Sequence, residues 1–520
     1  MARTRDSRKG LQLARSRLLA ATLVAFSTHT ASGQLVIEVL DEHTPLVRTD
    51  PAYPVQGKTS HVVATLRNTG SQALSDVRAT AQATHKDAKR TIGELSVNVP
   101  AGATATLRIP WQPTDNGWHD LRLTASAPDG SQAATAEARV PVLARQFYFQ
   151  WYTRNWPEDR KLRWVNLVQV LDHDTQTYDY WRDRGVFAYA GAGWRRAKSG
   201  ERFAEYLFEQ AEPYGGVVYD ELGAYSDRVL AEKPELVGFE LFTERHPEMF
   251  TGLYVSGALK PSMANLVRRA PFDHFDEQPP GKKGVDLLLI EVYHNYLITS
   301  FNSRRPYAYL DHAIYTARVY DALENALIVV CFAGTEDPEI EKRGRGPYTV
   351  TKADLEDQVR YIRRHAPSMP GVAFYGYPSS KELIDWEEIT LFADSLFLKY
   401  FIKPVMTIWD DGIQLSTATP TVGEAVDLTA TVHNIGAMDA SNVTVEFFDG
   451  HPDRGGERIG QPIELPVVPA DRHVPPGRVV VEQEWTPKAG HRSLFVRLSA
   501  GDGVTLLDSL ARRDVSVDQK

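Results

Sequence analysis

The sequence predicts a multidomain protein, α/β in its middle and all-β at both ends: a central (β/α)8 barrel between two β-sandwiches. Three observations predict it. Between about residues 145 and 404, apolar strand-like runs alternate with amphipathic helical runs. Both flanks instead alternate apolar and polar residues over short runs punctuated by Gly, Pro and Asn. The two flanks also repeat each other in sequence.

In chain order, the first 33 residues read as a leader. A basic stretch, "MARTRDSRKGLQLARSR", precedes the short apolar run Leu18 to Phe26 and then small residues, with cleavage expected after Gly33. The run is too short to span a bilayer, so export to a secreted or periplasmic location without membrane insertion is the expectation. The only cysteine, Cys331, lies in the apolar run "ALIVVCFAG" and reads as a buried thiol rather than half of a disulfide.

The first flank, residues 35–144, can be laid on the second, residues 405–520. Gly57, Asn68, Gly70 and Val77 fall on Gly423, Asn434, Gly436 and Val443 without a gap. One gap later, "VPAG" with Trp111 and Pro113 matches "VPPG" with Trp485 and Pro487. Runs such as "VVATLR" and "LTATVH" alternate with period two, as half-buried antiparallel strands do, and N-x-G marks a turn. On these residues both flanks resemble the CARDB family of immunoglobulin-like modules. That resemblance implies a role in spacing, packing or attachment to a cell surface or polysaccharide, and no catalysis.

The middle, residues 145–404, offers eight strand candidates: "QFYFQWY", "WVNLVQV", "GVFAYAGA", "GGVVYDE", "FTGLYVSG", "VDLLLIEVY", "ALIVVCFAG" and "GVAFYGY". Helical runs such as "ERFAEYLFEQAEPYG" and "TKADLEDQVRYIRRHA" separate them. Near-continuous apolar strands joined by helices mean a parallel sheet covered on its outside, and eight units in this length suit a closed barrel. An open doubly wound sheet is the alternative.

Bulk properties narrow the function. A formal net charge of -9 leaves no basic footprint for a nucleic acid. H-E-x-x-H, G-x-S-x-G and Cys/His clusters are all missing, and "GAGWRRA" misses the spacing of a dinucleotide loop, so neither a metal nor another cofactor is expected.

In a barrel, chemistry gathers at the C-terminal ends of the strands. Here those ends carry carboxylates and aromatic rings: Trp151 and Tyr152 on the first; His173 after the second; Tyr189 and Trp194 on and after the third; Asp220 and Glu221 on the fourth; Tyr254 on the fifth. Glu291, Tyr293, His294 and Asn295 follow on the sixth, Glu336 on the seventh, and Tyr375 and Tyr377 on the eighth. Paired carboxyls with aromatic platforms suit a carbohydrate, because sugar faces pack on rings and glycosidic cleavage canonically uses two flanking carboxyls. Trp151 and Trp194 are the expected stacking platforms. Tyr152, His173, Tyr189, Tyr254, Tyr293, His294, Asn295, Glu336 and Tyr377 are expected substrate contacts, although His173 also suits a plain polar loop and tyrosines at the spacing of Tyr375 and Tyr377 also suit a core.

The middle resembles a glycoside hydrolase barrel. Carboxylates ending strands four and six are similar to the α-galactosidase type, which implies Asp220 as nucleophile and Glu291 as acid/base of a retaining mechanism; the tryptophan and lysine pattern usual before that Asp is replaced by Val217, Val218 and Tyr219. The large β-glycosidase clan would instead use Glu221 and Glu336, with Asp220 where an Asn usually stands. A substrate-assisted hexosaminidase arrangement would pair Asp220 with Glu221. The resulting expectation is a secreted glycosidase, endo-acting through long loops after strands six and seven. The alternative is a non-catalytic carbohydrate-binding or adhesion protein.

Overall fold

The computed structural model describes residues 35–152, 157–170, 174–193, 197–220, 222, 227–256, 259–266, 284–292, 307–331, 351–375, 385–470 and 477–519. The leader expected over residues 1–33 therefore lies outside the described residues. Among them, no helix is long and apolar enough to cross a membrane.

The N-terminal flank folds into two antiparallel sheets. β1 (Leu35–Glu38), β2 (Arg48–Asp50), β3 (Ser60–Asn68) and β6 (Thr104–Trp111) form one; β4 (Leu74–His85), β5 (Ala88–Val99), β7 (Gly117–Ser126) and β8 (Ala133–Val142) form the other. Alternate residues such as Leu121, Leu123 and Ala125 on β7 turn inward and meet Val62, Ala64 and Leu66 of β3 in a shared core.

The middle closes into a barrel of parallel strands: β9 (Tyr148–Tyr152), β10 (Leu167–Val170), β11 (Phe187–Ala192), β12 (Gly216–Tyr219), β13 (Phe250–Ser256), β14 (Leu287–Glu291), β15 (Ala326–Cys331) and β16 (Gly371–Tyr375). Each falls within one of the eight apolar runs. Among the described residues the helices are α1 (Thr175–Asp183), α2 (Gly200–Ala211), α3 (Asp227–Leu230), α4 (Pro234–Arg245), α5 (Ala308–Val319), α6 (Lys352–His365) and α7 (Trp386–Phe397). Their periodicity explains their docking: α6 starts at a capping box in which Thr351 and Asp354 exchange hydrogen bonds, and it buries Leu355, Val359 and Ile362 along one stripe. Among the described residues, the connections after β9 and β13 carry 3-10 turns, Pro157–Lys161 and Pro261–Leu266, and the rest of these connections, residues 153–156, 257–258 and 267–283, lies outside the described residues.

The C-terminal flank repeats the two-sheet plan. β17 (Val405–Leu415), β18 (Val426–Asn434), β21 (Gly477–Trp485) and β23 (Thr505–Asp508) face β19 (Ala440–Asp449), β20 (Glu457–Val468), β22 (Gly490–Ala500) and β24 (Leu510–Val517). Both sandwiches are fused to the barrel. Tyr53 and Leu143 from one side, and Ile435, Ala437, Met438 and Leu507 from the other, belong to the core between barrel and helices. The sandwiches also touch each other: Asn116 Nδ2 donates to Asp439 Oδ1 at 3.1 Å, and the Asp439 amide returns a bond to Asn116 Oδ1 at 2.8 Å.

Candidate active site at the barrel mouth

Two apolar populations divide the barrel strands by parity. Tyr148, Leu167, Tyr189, Val218, Phe250, Tyr254, Leu287, Leu289, Leu327, Val329 and Ala373 fill the lumen. Their neighbours Phe149, Trp151, Val168, Val217, Tyr219, Leu253, Leu288 and Ile290 face the helices. Side chains alternate along a strand, so Asp220, next but one after Val218, and Glu291, next but one after Leu289, turn toward the barrel axis. The Asp220 amide extends the ladder by donating to the Ala192 carbonyl at 3.2 Å. Asp220 is half-buried, and Glu291 is 7% exposed.

The two carboxylates stand at one level. Tyr219 pairs with Leu253, so one step further Asp220 lies alongside Tyr254, and Tyr254 pairs with Leu289. Glu291 is two residues beyond Leu289. Strands about 4.8 Å apart and tilted by about 36° climb roughly one residue per strand, so a two-residue offset across two strands keeps both groups in the same layer. The same step from Glu291 through Val329 and Ala373 reaches Tyr375. Asp220, Glu291 and Tyr375 thus share the top layer of the lumen. The backbones of the two carboxylates are separated by two strand spacings, roughly 10 Å, and both side chains turn into the same lumen.

Tyrosines line the layer beneath. Tyr152 packs edge-on against Tyr375 at 5.1 Å and against Tyr254 at 6.2 Å between ring centroids. Tyr152 and Tyr375 keep part of their surface exposed, which suits them to meet a ligand entering the mouth. Burial first, then the neighbouring Tyr189, Tyr152, Asp220 and Glu291, hold the Tyr254 phenol well above the usual tyrosine range. One layer deeper, Gln150 donates from Nε2 to the Tyr254 hydroxyl at 2.9 Å. Tyr189 lies at the Gln150 level, its phenol also raised by burial and opposed by the nearby Gln150 amide.

The structure corrects several expected contacts. Trp151 is no stacking platform: it points outward into the layer between barrel and helices, is 2% exposed, and donates from Nε1 to Asp159 at 3.1 Å. Tyr189 is sealed in the lumen at 0% exposure, packed against Phe187 and Phe250, so it belongs to the floor rather than to the substrate surface. Tyr254, 2% exposed, faces the carboxylates from below. Tyr152 stays at the mouth. Glu221, His173, Trp194, Tyr293, His294, Asn295, Glu336 and Tyr377 lie outside the described residues.

Tyr375, Gln150 and the buried Gln169 are the residues that sequence reasoning undervalued. Gln150 shares the parity of Tyr152 on β9, whereas Gln169 meets Tyr152 and Tyr189 only through inter-strand register and Tyr375 carries no local signal. Among the described residues, no group of three or more His, Cys, Asp or Glu is placed to hold a metal. A concavity lies at the opposite end of the barrel, where Asp50, Pro51 and Tyr53 of the N-terminal sandwich cover Tyr148, Leu167, Phe187 and Phe250. That end carries the strand starts, away from the carboxylate layer.

No family model matches the chain, and no curated protein matches it. Among solved structures, it is similar to a calcium-binding mutant of Bacteroides uniformis β-glucuronidase 2, at 10% identity and a TM-score of 0.32 over 94% of this chain and 62% of that one. It is also similar to a putative β-galactosidase from Bacteroides fragilis, at 10% identity and a TM-score of 0.30 over 94% and 75% of the two chains. For a GH2 β-galacturonidase from Eisenbergiella tayi the values are 11%, 0.29, 66% and 65%. The CARDB domain of a Pyrococcus furiosus protein matches 23% of this chain and 91% of that one at 17% identity and a TM-score of 0.17. The chain spans somewhat less than two thirds of the β-glucuronidase 2 chain. The reading of the site rests on its own geometry.

Proposed function

We propose that this chain is a glycoside hydrolase that cleaves a polysaccharide or glycoconjugate, with Asp220 and Glu291 as its carboxyl pair. The observation that supports it is the shared layer: two inward carboxylates on alternate strands at the C-terminal mouth of a closed barrel, with Tyr152 and Tyr375 beside them. Glycosidic cleavage needs one carboxyl protonated and one ionised on either side of the bond, and a barrel mouth presents groups at such separations. Glu291, the more enclosed of the two, suits the protonated acid, since burial disfavours the charged form; Asp220, half-exposed, suits the ionised nucleophile of a retaining mechanism. An endo mode of attack and export through the leader complete the reading, with the two sandwiches as attachment modules.

Incubating the purified protein with a panel of polysaccharides and glycoproteins, and sizing new reducing ends, tests it. Asp220→Asn and Glu291→Gln should each lower the rate by about a thousandfold or more with unchanged thermal unfolding, because each removes a role exercised chiefly in the transition state. Wild-type-like rates in both variants would sink the assignment. No release by the wild type, together with co-sedimentation with one of the polysaccharides, would replace the enzyme with a carbohydrate-binding protein.

A further inference from the structure

The two sandwiches differ at one sheet edge. In the C-terminal copy, β21 pairs with β18 along its whole length, from Gly477 opposite Asn434 to Trp485 opposite Val426, and no described strand pairs with its other side. Such an edge offers a row of backbone donors and acceptors to any strand that can reach it. The corresponding strand of the N-terminal copy, β6, is blunted: Pro110 precedes its final Trp111, and its one charged side chain, Arg108, is already paired with Asp50. Two longer edge strands are blunted as well. β20 carries Pro462 and Pro466, and β5 breaks register opposite the Ala81–Gln82 step. β21 contains no proline, and its register with β18 is unbroken.

The outward face of β21 is complementary to itself. Arg478, Val480, Glu482 and Glu484 stand on it, all exposed, while Val481 and Trp485 turn into the sandwich core. Val480 is 55% exposed, a large apolar side chain between two charged ones. Arg478 and Glu482 are four residues apart on an extended strand, about 13 Å, too far to pair within one chain. An antiparallel copy of the strand brings them together. With a two-fold axis at Val480, that residue meets its own equivalent, Val479 meets Val481, Arg478 meets Glu482 and Gly477 meets Gln483. Outward residues then meet outward residues, and the apolar centre has an ion pair on either side. A slip of two residues would set Val480 opposite a charged side chain, Glu482 or Arg478.

We propose that β21 is an interaction surface for a second copy of this chain: two β21 strands pair antiparallel about Val480 and join two C-terminal sandwiches through one continuous sheet, clamped by reciprocal Arg478–Glu482 pairs. The barrels leave room for it. Gly477 lies opposite Asn434, at the turn docked on the barrel, so in an antiparallel pair the partner's barrel lies beyond the other end of the strand. The inference is independent of how the barrel mouth is read.

Sedimentation equilibrium of the full chain from about 1 to 100 μM tests it, and should show a monomer–dimer equilibrium that weakens as salt rises. Arg478→Glu and Glu482→Arg each set like charges opposite one another, and each alone should weaken the dimer by about tenfold or more. Mixing the two variants restores opposite charges at both crossings, so a heterodimer of wild-type strength should form. Both positions are exposed, and thermal unfolding of each variant should match the wild type. A wild type that stays monomeric at the highest concentration overturns the proposal, even where it captures a polysaccharide or a strand of another protein. A dimer whose strength is the same in the wild type, both variants and their mixture overturns it too, because its interface then lies elsewhere.

Discussion

The two sandwiches contain the same turn and use it differently. In the N-terminal copy, buried Asn68 donates to the Gln72 and Val99 carbonyls at 2.7 and 3.1 Å and accepts from the Gly70 amide at 2.9 Å. In the C-terminal copy, Asn434 donates to the Met438 and Val468 carbonyls at 2.9 and 3.1 Å and accepts from the Gly436 amide at 3.1 Å. The bonds correspond one for one. Yet Thr69, Ser71 and Gln72 are exposed, whereas residues 435–438 are all buried against the barrel. Ala437 donates to the Phe401 carbonyl at 2.8 Å, and the Ile435 carbonyl accepts from the guanidinium of Arg363, which lies fully buried over the Phe401 ring. A local asparagine-centred turn is therefore a self-sufficient unit, and whether it becomes an interface depends on which apolar residues occupy its tip.

Breaking that interface should have the largest effect. A Cβ on Gly436 would stand 2.1 Å from the Lys403 carbonyl oxygen and 2.7 Å from the Val405 amide, both backbone atoms that cannot swing aside. Gly436→Ala should cost about 3 kcal/mol or more, in the upper range for forced overpacking, while Gly70→Ala in the exposed copy should cost well under half of that. Urea denaturation of the two variants measures the difference; equal losses would show that the turn itself, not its docking, sets the constraint.

Removing the asparagine comes next. Asn68→Ala and Asn434→Ala each strand buried backbone groups, at about 1–3 kcal/mol per variant. Asn434 also accepts from the Val405 amide at 3.3 Å, where the chain leaves the barrel, so its loss should loosen the barrel junction as well as the sandwich. Hydrogen exchange at Val405 separates the two cases: faster exchange in Asn434→Ala and unchanged exchange in Asn68→Ala is the expected pattern.

The smallest effect distinguishes the copies by pH. In the N-terminal sandwich, the His119 ring stacks on that of His85 at 4.5 Å, and burial, with the like-charged neighbour adding to it, holds its pKa below the ordinary 6.5. Burial likewise lowers His433 in the C-terminal copy, where the ring lies against Trp409 instead of a second imidazole. A depressed folded-state value means that the unfolded chain binds the proton more readily. The stabilisation is therefore present above about pH 6.5 and lost as pH falls through the folded value. Protection factors of β7 amides, which correct for the slower intrinsic exchange at lower pH, should fall between pH 7.5 and 5.5, and His119→Phe should flatten that fall; an unchanged slope would remove the imidazole pair from the account.

The site was legible only in part. Carboxylates at the ends of apolar runs drew attention to Asp220 and Glu291 because a buried charge requires a reason. Which neighbour faces the axis was hidden on β12 and β14, since both faces of these strands are apolar and no polar residue before Asp220 or Glu291 labels either side. Trp151 reads as a mouth residue from its strand-end position when it is packed against helices, and Tyr375 as core when it shares the top layer with Glu291, two strands away.

The sequence alone determined the strands, the repeated module and its asparagine turn, because these follow from periodicity and from hydrogen bonds within a few residues. The closure of the barrel, the common layer of Asp220, Glu291 and Tyr375, the sealing of Tyr254 beneath them and the burial of residues 435–438 were decided by the tertiary structure. Each depends on strand register or on surfaces brought together from distant parts of the chain, and neither is encoded in any local stretch of residues.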